Sequence, residues 1–196
     1  MGFLSEQCSI TPLNETVLSQ CKNFSCGDSD LDDFFWNDSV NYSKQLLGKS
    51  YCFRLDKDPS VIVCAFTVSN SAIKASDLPN NRKKKVTEEI PHSKQLKNYP
   101  AVLIGRLGVN QAFAKNKVGT DLMHFIKLWF ADQDNKTGCR FIIVDAYNQP
   151  IPKKYYESNG FKYLFSSEEQ EKSYFNINKE GLLETRFMYF DLISLD

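Results

Sequence analysis

Two stretches of this sequence hold residues whose types and order could do chemistry. The first runs from Ile104 to Met123, IGRLGVNQAFAKNKVGTDLM. An apolar strand passes into a short basic, polar turn and then into a helix. A helix start presents backbone N–H groups without intrahelical partners and the positive end of a dipole, which suits a phosphate. Gly119 lets the backbone approach a ligand closely, and Lys115 and Lys117 add local positive charge. Alone, such a strand–turn–helix unit is as readily a plain structural connection. The second stretch runs from Asn148 to Phe161, NQPIPKKYYESNGF. Two adjacent tyrosines, Tyr155 and Tyr156, fall on a short helix just after a buried strand. A phenol there could donate a proton or pack, and of two neighbours on a helix one, Tyr155, is expected to face the core.

The elements that must position these residues follow from pattern. Residues 28–48 read as a helix, with Asp28 or Asp30 accepting the free N–H groups of its first turn and Gly48 as its stop. Tyr51–Leu55 and Val61–Ser69 read as strands joined by the turn Asp56-Lys57-Asp58-Pro59, hence a hairpin. Residues 74–100 change character: Arg82-Lys83-Lys84-Lys85 precedes Glu88-Glu89, with prolines at 79, 91 and 100, and the segment reads as a surface excursion. Residues 101–110 form a buried strand, a helix runs from about Gly119 to Asp134, and Phe141-Ile142-Ile143-Val144 is a second buried strand. A short helix from Pro152 to Ser158 ends at Gly160, Phe161–Phe165 is a strand, 166–181 is polar helix or loop, and Thr185–Ile193 is a final strand. A strand–helix–strand unit with apolar strands implies a parallel, right-handed crossover, whereas the hairpin implies an antiparallel half. The fold class is α/β: a mixed sheet with helices on both faces, in one domain over 1–196.

Composition narrows the partners. Lys+Arg and Asp+Glu both number 24, so no global field points to nucleic acid or a membrane. No run approaches the roughly 18 apolar residues of a membrane span, and Met1 to Ile10 lacks the pattern of a signal peptide. The six cysteines form no CxxC pair; Cys52, Cys64 and Cys139 sit in apolar runs, where a reduced thiol behaves as a small core hydrophobe. With two histidines, His92 and His124, and no ligand cluster, no metal site is expected. The location expected is cytoplasmic. Asp145, at the end of a buried strand, could bind an acceptor amine or a structural N–H, with the structural role favoured.

Three motifs in order resemble the GNAT superfamily of N-acetyltransferases, over roughly residues 20 to 165. They are Phe24-Ser25-Cys26-Gly27-Asp28-Ser29-Asp30-Leu31-Asp32, Gly105-Arg106-Leu107-Gly108-Val109 and Tyr155-Tyr156-Glu157-Ser158-Asn159-Gly160-Phe161. Within that superfamily they are similar to a branch that includes toxin-type enzymes. The resemblance implies a GNAT-like, largely antiparallel sheet with a central splayed parallel strand pair. It implies acetyl-CoA as cofactor, pantetheine on the backbone of Leu107, Gly108 and Val109, and pyrophosphate on Lys115, Asn116, Lys117, Val118, Gly119 and Thr120. It further implies a cofactor contact from Asn148 and a general acid at Tyr156, protonating the departing thiolate. The phosphate turn departs from the pattern [Arg/Gln]-x-x-Gly-x-[Gly/Ala], since Ala114 replaces the polar residue and Lys117 the first glycine. Either the turn keeps its shape, with Asn116 or Lys117 left-handed, or cofactor affinity falls.

The function expected is therefore acetyl transfer from acetyl-CoA to a primary amine by direct attack, with a small molecule or peptide as the favoured acceptor. The alternatives are a toxin-type enzyme acting on aminoacyl-tRNA, or a non-catalytic coenzyme A-binding or interaction protein on the same scaffold. The charge balance disfavours nucleic acid, but a local basic patch from Lys94 and Lys97 joining Arg82–Lys85 leaves tRNA open. A homodimer is compatible with the sequence.

Overall fold

The computed structural model describes residues 2–76, 78–92 and 96–195. In chain order the elements are α1 (Phe3–Gln7), β1 (Cys8–Pro12), α2 (Glu15–Gln20), α3 (Ser29–Asp33), a π-helical turn (Phe34–Asp38), α4 (Ser39–Lys44), β2 (Lys49–Leu55) and β3 (Asp58–Lys74). Then come α5 (Asn80–Thr87), β4 (Asn98–Val109), a 3-10 turn (Gln111–Phe113), α6 (Val118–Ala131), β5 (Phe141–Tyr147), α7 (Pro150–Ser158), β6 (Lys162–Tyr163), α8 (Glu168–Phe175), β7 (Thr185–Asp191) and a last 3-10 turn (Leu192–Ser194). The seven strands form one sheet in the order β1-β2-β3-β4-β5-β7-β6, mostly antiparallel with a parallel β4–β5 pair. This is the mixed α/β architecture expected from the alternation of elements. No helix among the described residues is long and apolar enough to cross a membrane.

The chain divides into two compact units. The first comprises the chain up to Ser69 together with Ile104–Trp129. Here β1, β2 and β3 pair antiparallel, and Leu13, Val17, Phe24, Phe34, Phe35, Cys52, Ile62 and Ala65 bury one apolar cluster. Helix α6 is held to β2 by edge-on ring contacts, Phe53 with Phe125 at 5.0 Å and Tyr51 with Trp129 at 4.9 Å. Such pairs are worth roughly 0.5–1.5 kcal/mol beyond burial. The helix expected over 28–48 is three pieces, with the wider turn Phe34–Asp38 between α3 and α4. It stops at Lys44, and Leu46 takes the left-handed conformation (φ 59) in place of the expected Gly48. Gly48 has another reason to be small: a Cβ there would lie 2.5 Å from Tyr42 and 2.8 Å from the Val68 carbonyl.

The second unit comprises Asn70–Leu103 and the chain from Phe130 onward. Its core gathers Ile73, Ala75, Leu78, Val86, Tyr99, Ala101, Phe141, Ile143, Leu164, Phe165 and Tyr189. Five of these, Ala75, Leu78, Val86, Tyr99 and Ile73, come from in or beside the segment read as an excursion. That segment is anchored by its apolar residues, while Lys84, Lys85, Glu88 and Glu89 are exposed and Arg82 and Lys83 are half-buried. β3 runs on to Lys74 rather than ending at Ser69, and β6 covers only Lys162–Tyr163 of the strand expected over 161–165. All six cysteines are free thiols; Cys52 and Cys64 are buried, whereas Cys139 is half-buried.

Helix α8, which the sequence left as helix or loop, ties down the start of β7. Glu168 accepts the Leu183 N–H at 2.7 Å; Glu171 accepts the Phe187 N–H at 2.6 Å and the Arg186 Nε–H at 2.8 Å. Both partners of the Arg186–Glu171 pair are sheltered, at 12% and 3% exposure. Burial pushes the Glu171 carboxyl up, with Arg186 and the Phe187 N–H opposing. A raised carboxyl contributes stability that is present below its unfolded value and lost as pH rises through the folded one. Arg186→Met would strand the buried carboxylate and cost roughly 3 kcal/mol at neutral pH, as for other broken buried pairs. The deficit should shrink as pH falls and Glu171 protonates, and Glu171→Gln in the same chain should recover part of it. Urea denaturation at pH 7.5 and pH 5 measures both effects.

Candidate active site

In the first unit the site residues are set by the leading motif as much as by β4. Asp28 caps α3, accepting the N–H groups of Asp30 and Leu31 at 3.0 and 3.1 Å. Asp32 reaches back to accept the Cys26 N–H at 2.8 Å and the Ser25 hydroxyl at 2.7 Å. Gly27 is left-handed (φ 88), and a Cβ there would meet the Gln111 amide at 2.5 Å. The loop so formed lies on Gly108, whose absent Cβ would sit 3.0 Å from Cys26 Cβ and 3.3 Å from the Phe24 ring. A side chain at Gly108 would therefore crowd Cys26 and Phe24, which would have to give by a few tenths of an ångström, independently of any ligand. Arg106 of the same strand stacks its guanidinium 3.8 Å over the Phe34 ring in the π-helical turn, a contact the sequence did not announce.

The strand then leads through Asn110 into the turn before α6. Asn110 is fixed by its Nδ2 donating to the Ile62 carbonyl at 2.8 Å and by its Oδ1 accepting the Ala112 N–H at 3.0 Å. Lys115 (φ 72) and Lys117 (φ 57) are both left-handed. Of the two residues expected to adopt that conformation, Lys117 does and Asn116 does not; Lys115 does so instead. Left-handed residues within a turn direct successive N–H groups to one side, the conformation of anion nests. With α6 starting at Val118 and two ammonium groups on the turn, the residues present fit a diphosphate.

In the second unit, Tyr156 lies on α7. Pro150 and Pro152 in the first turn suit a helix start, and Gly160 (φ 79) ends the segment in the left-handed conformation. The Tyr156 ring packs 5.4 Å from Phe161 and 5.1 Å from Tyr155. Its hydroxyl makes no hydrogen bond among the described residues. Burial, then the Asp145 carboxylate, push the phenol up to about 12, so it keeps its proton throughout the physiological range. Tyr155 differs from expectation: it is half-buried, like Tyr156, because α7 buries no residue fully. Asn148 does not offer an open amide. Its Nδ2 donates to Glu168 and the Leu183 carbonyl, both at 2.9 Å, and its Oδ1 accepts from Lys153 at 2.8 Å. A cofactor contact from the Asn148 side chain would have to use the second lone pair of Oδ1 or exchange one of the Nδ2 bonds. Asp145 also departs from its favoured structural role, since its carboxylate has no hydrogen bond or ion pair among the described residues.

The left-handed lysine is testable. Lys117→Gly removes a Cβ penalty of roughly 1–2 kcal/mol and returns roughly 0.5–1 kcal/mol of chain entropy. The net change should be a stabilisation of no more than about 1 kcal/mol, whereas the β-branched Lys117→Val should destabilise. Chemical denaturation of both variants measures the sign.

No family model matches the chain. Solved structures do resemble it along nearly its whole length. AtaT complexed with acetyl-methionyl-tRNAfMet is 19% identical with a TM-score of 0.70, over 95% of this chain and 96% of that one. A tyrosine-to-phenylalanine mutant of KacT is 17% identical with a TM-score of 0.69, over 96% and 97%. AtaTR bound with AcCoA is 16% identical with a TM-score of 0.65, over 96% of each chain. At these identities the likeness is one of fold, and the fold is the GNAT-like mixed sheet with its single parallel pair that the three motifs led us to expect.

Proposed function

We propose that this chain is an acetyl-CoA-dependent N-acetyltransferase of the toxin type, whose acceptor is the amino group of an aminoacyl-tRNA. The observation that carries the catalytic reading is Tyr156: a phenol that stays protonated, with an unengaged hydroxyl, beside the Asp145 charge. The acceptor reading draws on the fold shared with AtaT, which is complexed with acetyl-methionyl-tRNAfMet, and it replaces the small-molecule or peptide amine favoured from charge balance. Tyrosine-to-phenylalanine mutants of both KacT and AtaT are among the similar structures, which directs attention to tyrosine chemistry on this fold. AtaT is also seen bound to the C-terminus of the antitoxin AtaR, and a peptide partner of that kind belongs to the same reading.

Acetyl-CoA supplies an acetyl thioester. Backbone groups of Leu107, Gly108 and Val109 would hold its pantetheine arm, and the turn from Lys115 to Thr120 would neutralise its phosphates. The acceptor amine must be neutral to attack. As the C–N bond forms and the C–S bond breaks, Tyr156 would give its proton to the departing sulfur, and the proton shed by the new amide nitrogen would restore the phenol. The zero net charge is compatible with an RNA acceptor because the positive charge is concentrated. Helix α5 is anchored through Val86 and exposes Lys84 and Lys85, and the Ala75 N–H bond to the Lys97 carbonyl at 2.9 Å brings Lys97 beside Lys74. None of these lysines has an ion pair among the described residues. Lys94, expected to join them, lies outside the described residues.

Incubating the chain with acetyl-CoA and charged tRNA should yield N-acetylated aminoacyl-tRNA, detected by mass spectrometry of the released aminoacyl adenosine. Tyr156→Phe should lower kcat by roughly 10² to 10⁴-fold while leaving coenzyme A affinity unchanged. Transfer to free amines alone, with charged tRNA untouched, would return the small-molecule acceptor. Lys84→Glu with Lys85→Glu should raise KM for tRNA and flatten the dependence of log affinity on log salt by about one for each phosphate no longer neutralised. Turnover of a minimal aminoacyl mimic should be unaffected.

A further inference from the structure

A cavity of about 460 Å³ lies in the second unit. That volume falls within the roughly 300–1,000 Å³ typical of small-ligand sites. β5 builds one wall. Phe141 and Ile143 enter the core from one side of the strand, and the next residue on that side, Asp145, faces the cavity. Two further carboxylates, Glu171 and Glu184, line it. Both are already engaged, Glu171 by Arg186 and the Phe187 N–H, Glu184 by Lys179. Asp145 is the lining carboxylate without a cation among the described residues; its side chain is open to solvent on the cavity side, and the partial burial of the rest pushes its carboxyl up from the ordinary range. The rest of the lining is Thr185, Lys179, which Glu184 already pairs, and three apolar residues: Phe175 and Ile177, 42% and 39% exposed, and the almost fully buried Leu183.

A single uncompensated carboxylate facing exposed apolar side chains fits a ligand with an ammonium group and an apolar body. An anion would meet three carboxylates and one lysine that Glu184 already pairs, and a purely apolar ligand would desolvate Asp145 without a partner. The Asp145 charge is felt by the Tyr156 phenol, so an amine held by Asp145 lies near the residue proposed to act as acid. We propose that this cavity binds the aminoacyl end of the acceptor, with an apolar side chain against Phe175, Ile177 and Leu183 and its ammonium on Asp145, whose carboxylate takes the proton that the amine must lose before it attacks. The identity of the occupant rests on the acceptor reading above; the cavity's preference for an apolar primary amine does not. Asp145 would thus make the site selective for aminoacyl groups with a free amine and an apolar side chain.

The test is a binding titration by NMR on the full chain, without acetyl-CoA or tRNA, using L-methioninamide, glycinamide and N-acetyl-L-methioninamide. L-Methioninamide should bind, with shifts centred on Asp145 and on residues 175–185. A charge-assisted hydrogen bond corresponds to about tenfold or more in affinity. Asp145→Asn should therefore weaken L-methioninamide by at least about tenfold, and N-acetylation of the probe should do the same. Glycinamide should bind about tenfold more weakly than L-methioninamide, because it has no side chain to set against the apolar wall. Asp145→Asn is nearly isosteric, and an unchanged melting temperature would show that the fold survives. Equal binding of L-methioninamide by Asp145→Asn and the parent chain, equal binding of the N-acetylated probe, or no binding at all would overturn the proposal. A chain that binds L-methioninamide as described but never acetylates charged tRNA keeps the cavity and loses the acceptor reading. A chain whose Asp145→Asn variant acetylates methionyl-tRNA with undiminished kcat/KM keeps the acceptor reading and loses the cavity.

Discussion

The parallel pairing of β4 with β5 is the constraint on which the candidate chemistry depends. Its register covers Ala101–Leu103 against Phe141–Ile143, while β4 continues to Val109 and β5 to Tyr147. Parallel neighbours cannot be joined by a hairpin, so the chain must leave β4, turn, and return through a helix. That requirement creates both the turn at 114–117 and the N-terminus of α6, where anions are favoured. It also gives β5 a C-terminal end of its own, from which Asp145 projects and after which α7 carries Tyr156. An all-antiparallel sheet of the same strands would have no reason to place a helix start after the residues 107–109.

The leading motif acts as a splint for this arrangement. Its residues are not interchangeable polar and apolar letters: Gly27 supplies a left-handed backbone, Asp28 a helix cap, Asp32 a tether for two N–H or O–H donors, and Cys26 a surface for Gly108. Each alone is worth on the order of 1 kcal/mol. Together they define one path for the loop against β4. The π-helical turn that follows brings Phe34 under Arg106, so the same helix that completes the core also stacks a charged residue of the central strand. Such turns often occur where a helix serves a local function beyond packing.

Electrostatics in the second unit is arranged by satisfaction and its omission. Glu168 and Glu171 are drawn toward the start of β7 by backbone N–H groups and Arg186, and Asn148 is held between Glu168 of α8, the Leu183 carbonyl ahead of β7 and Lys153. These groups rigidify the surroundings of Asp145 and Tyr156 without competing for them. Leaving one carboxylate and one phenol unengaged within an otherwise satisfied network keeps those two groups available to a ligand.

The strands of the core, the crossover and the position of Tyr156 were legible in the sequence, because they rest on local signals. Apolar runs such as Phe141–Val144, the stop at Gly160 and the three motif spacings need no knowledge of what lies across the sheet. Elements too short for periodicity were not legible: α1, β1 and α2 have five or six residues each, and β3 beyond Ser69 carries Asn70 and Ser71, which read as a turn. Gly48 resembled a helix stop, yet its size is set by Tyr42 and the Val68 carbonyl, a proximity visible only once β3 pairs with β2. The same holds for the site. Sequence alone determined the fold class and which stretches could hold a phosphate or donate a proton, since residue type and chain order decide those. Only the tertiary structure decided that Lys115 shares the left-handed turn with Lys117, that Asn148 is engaged, and that Asp145 is not, because partners far apart in the chain determine whether a polar group is satisfied.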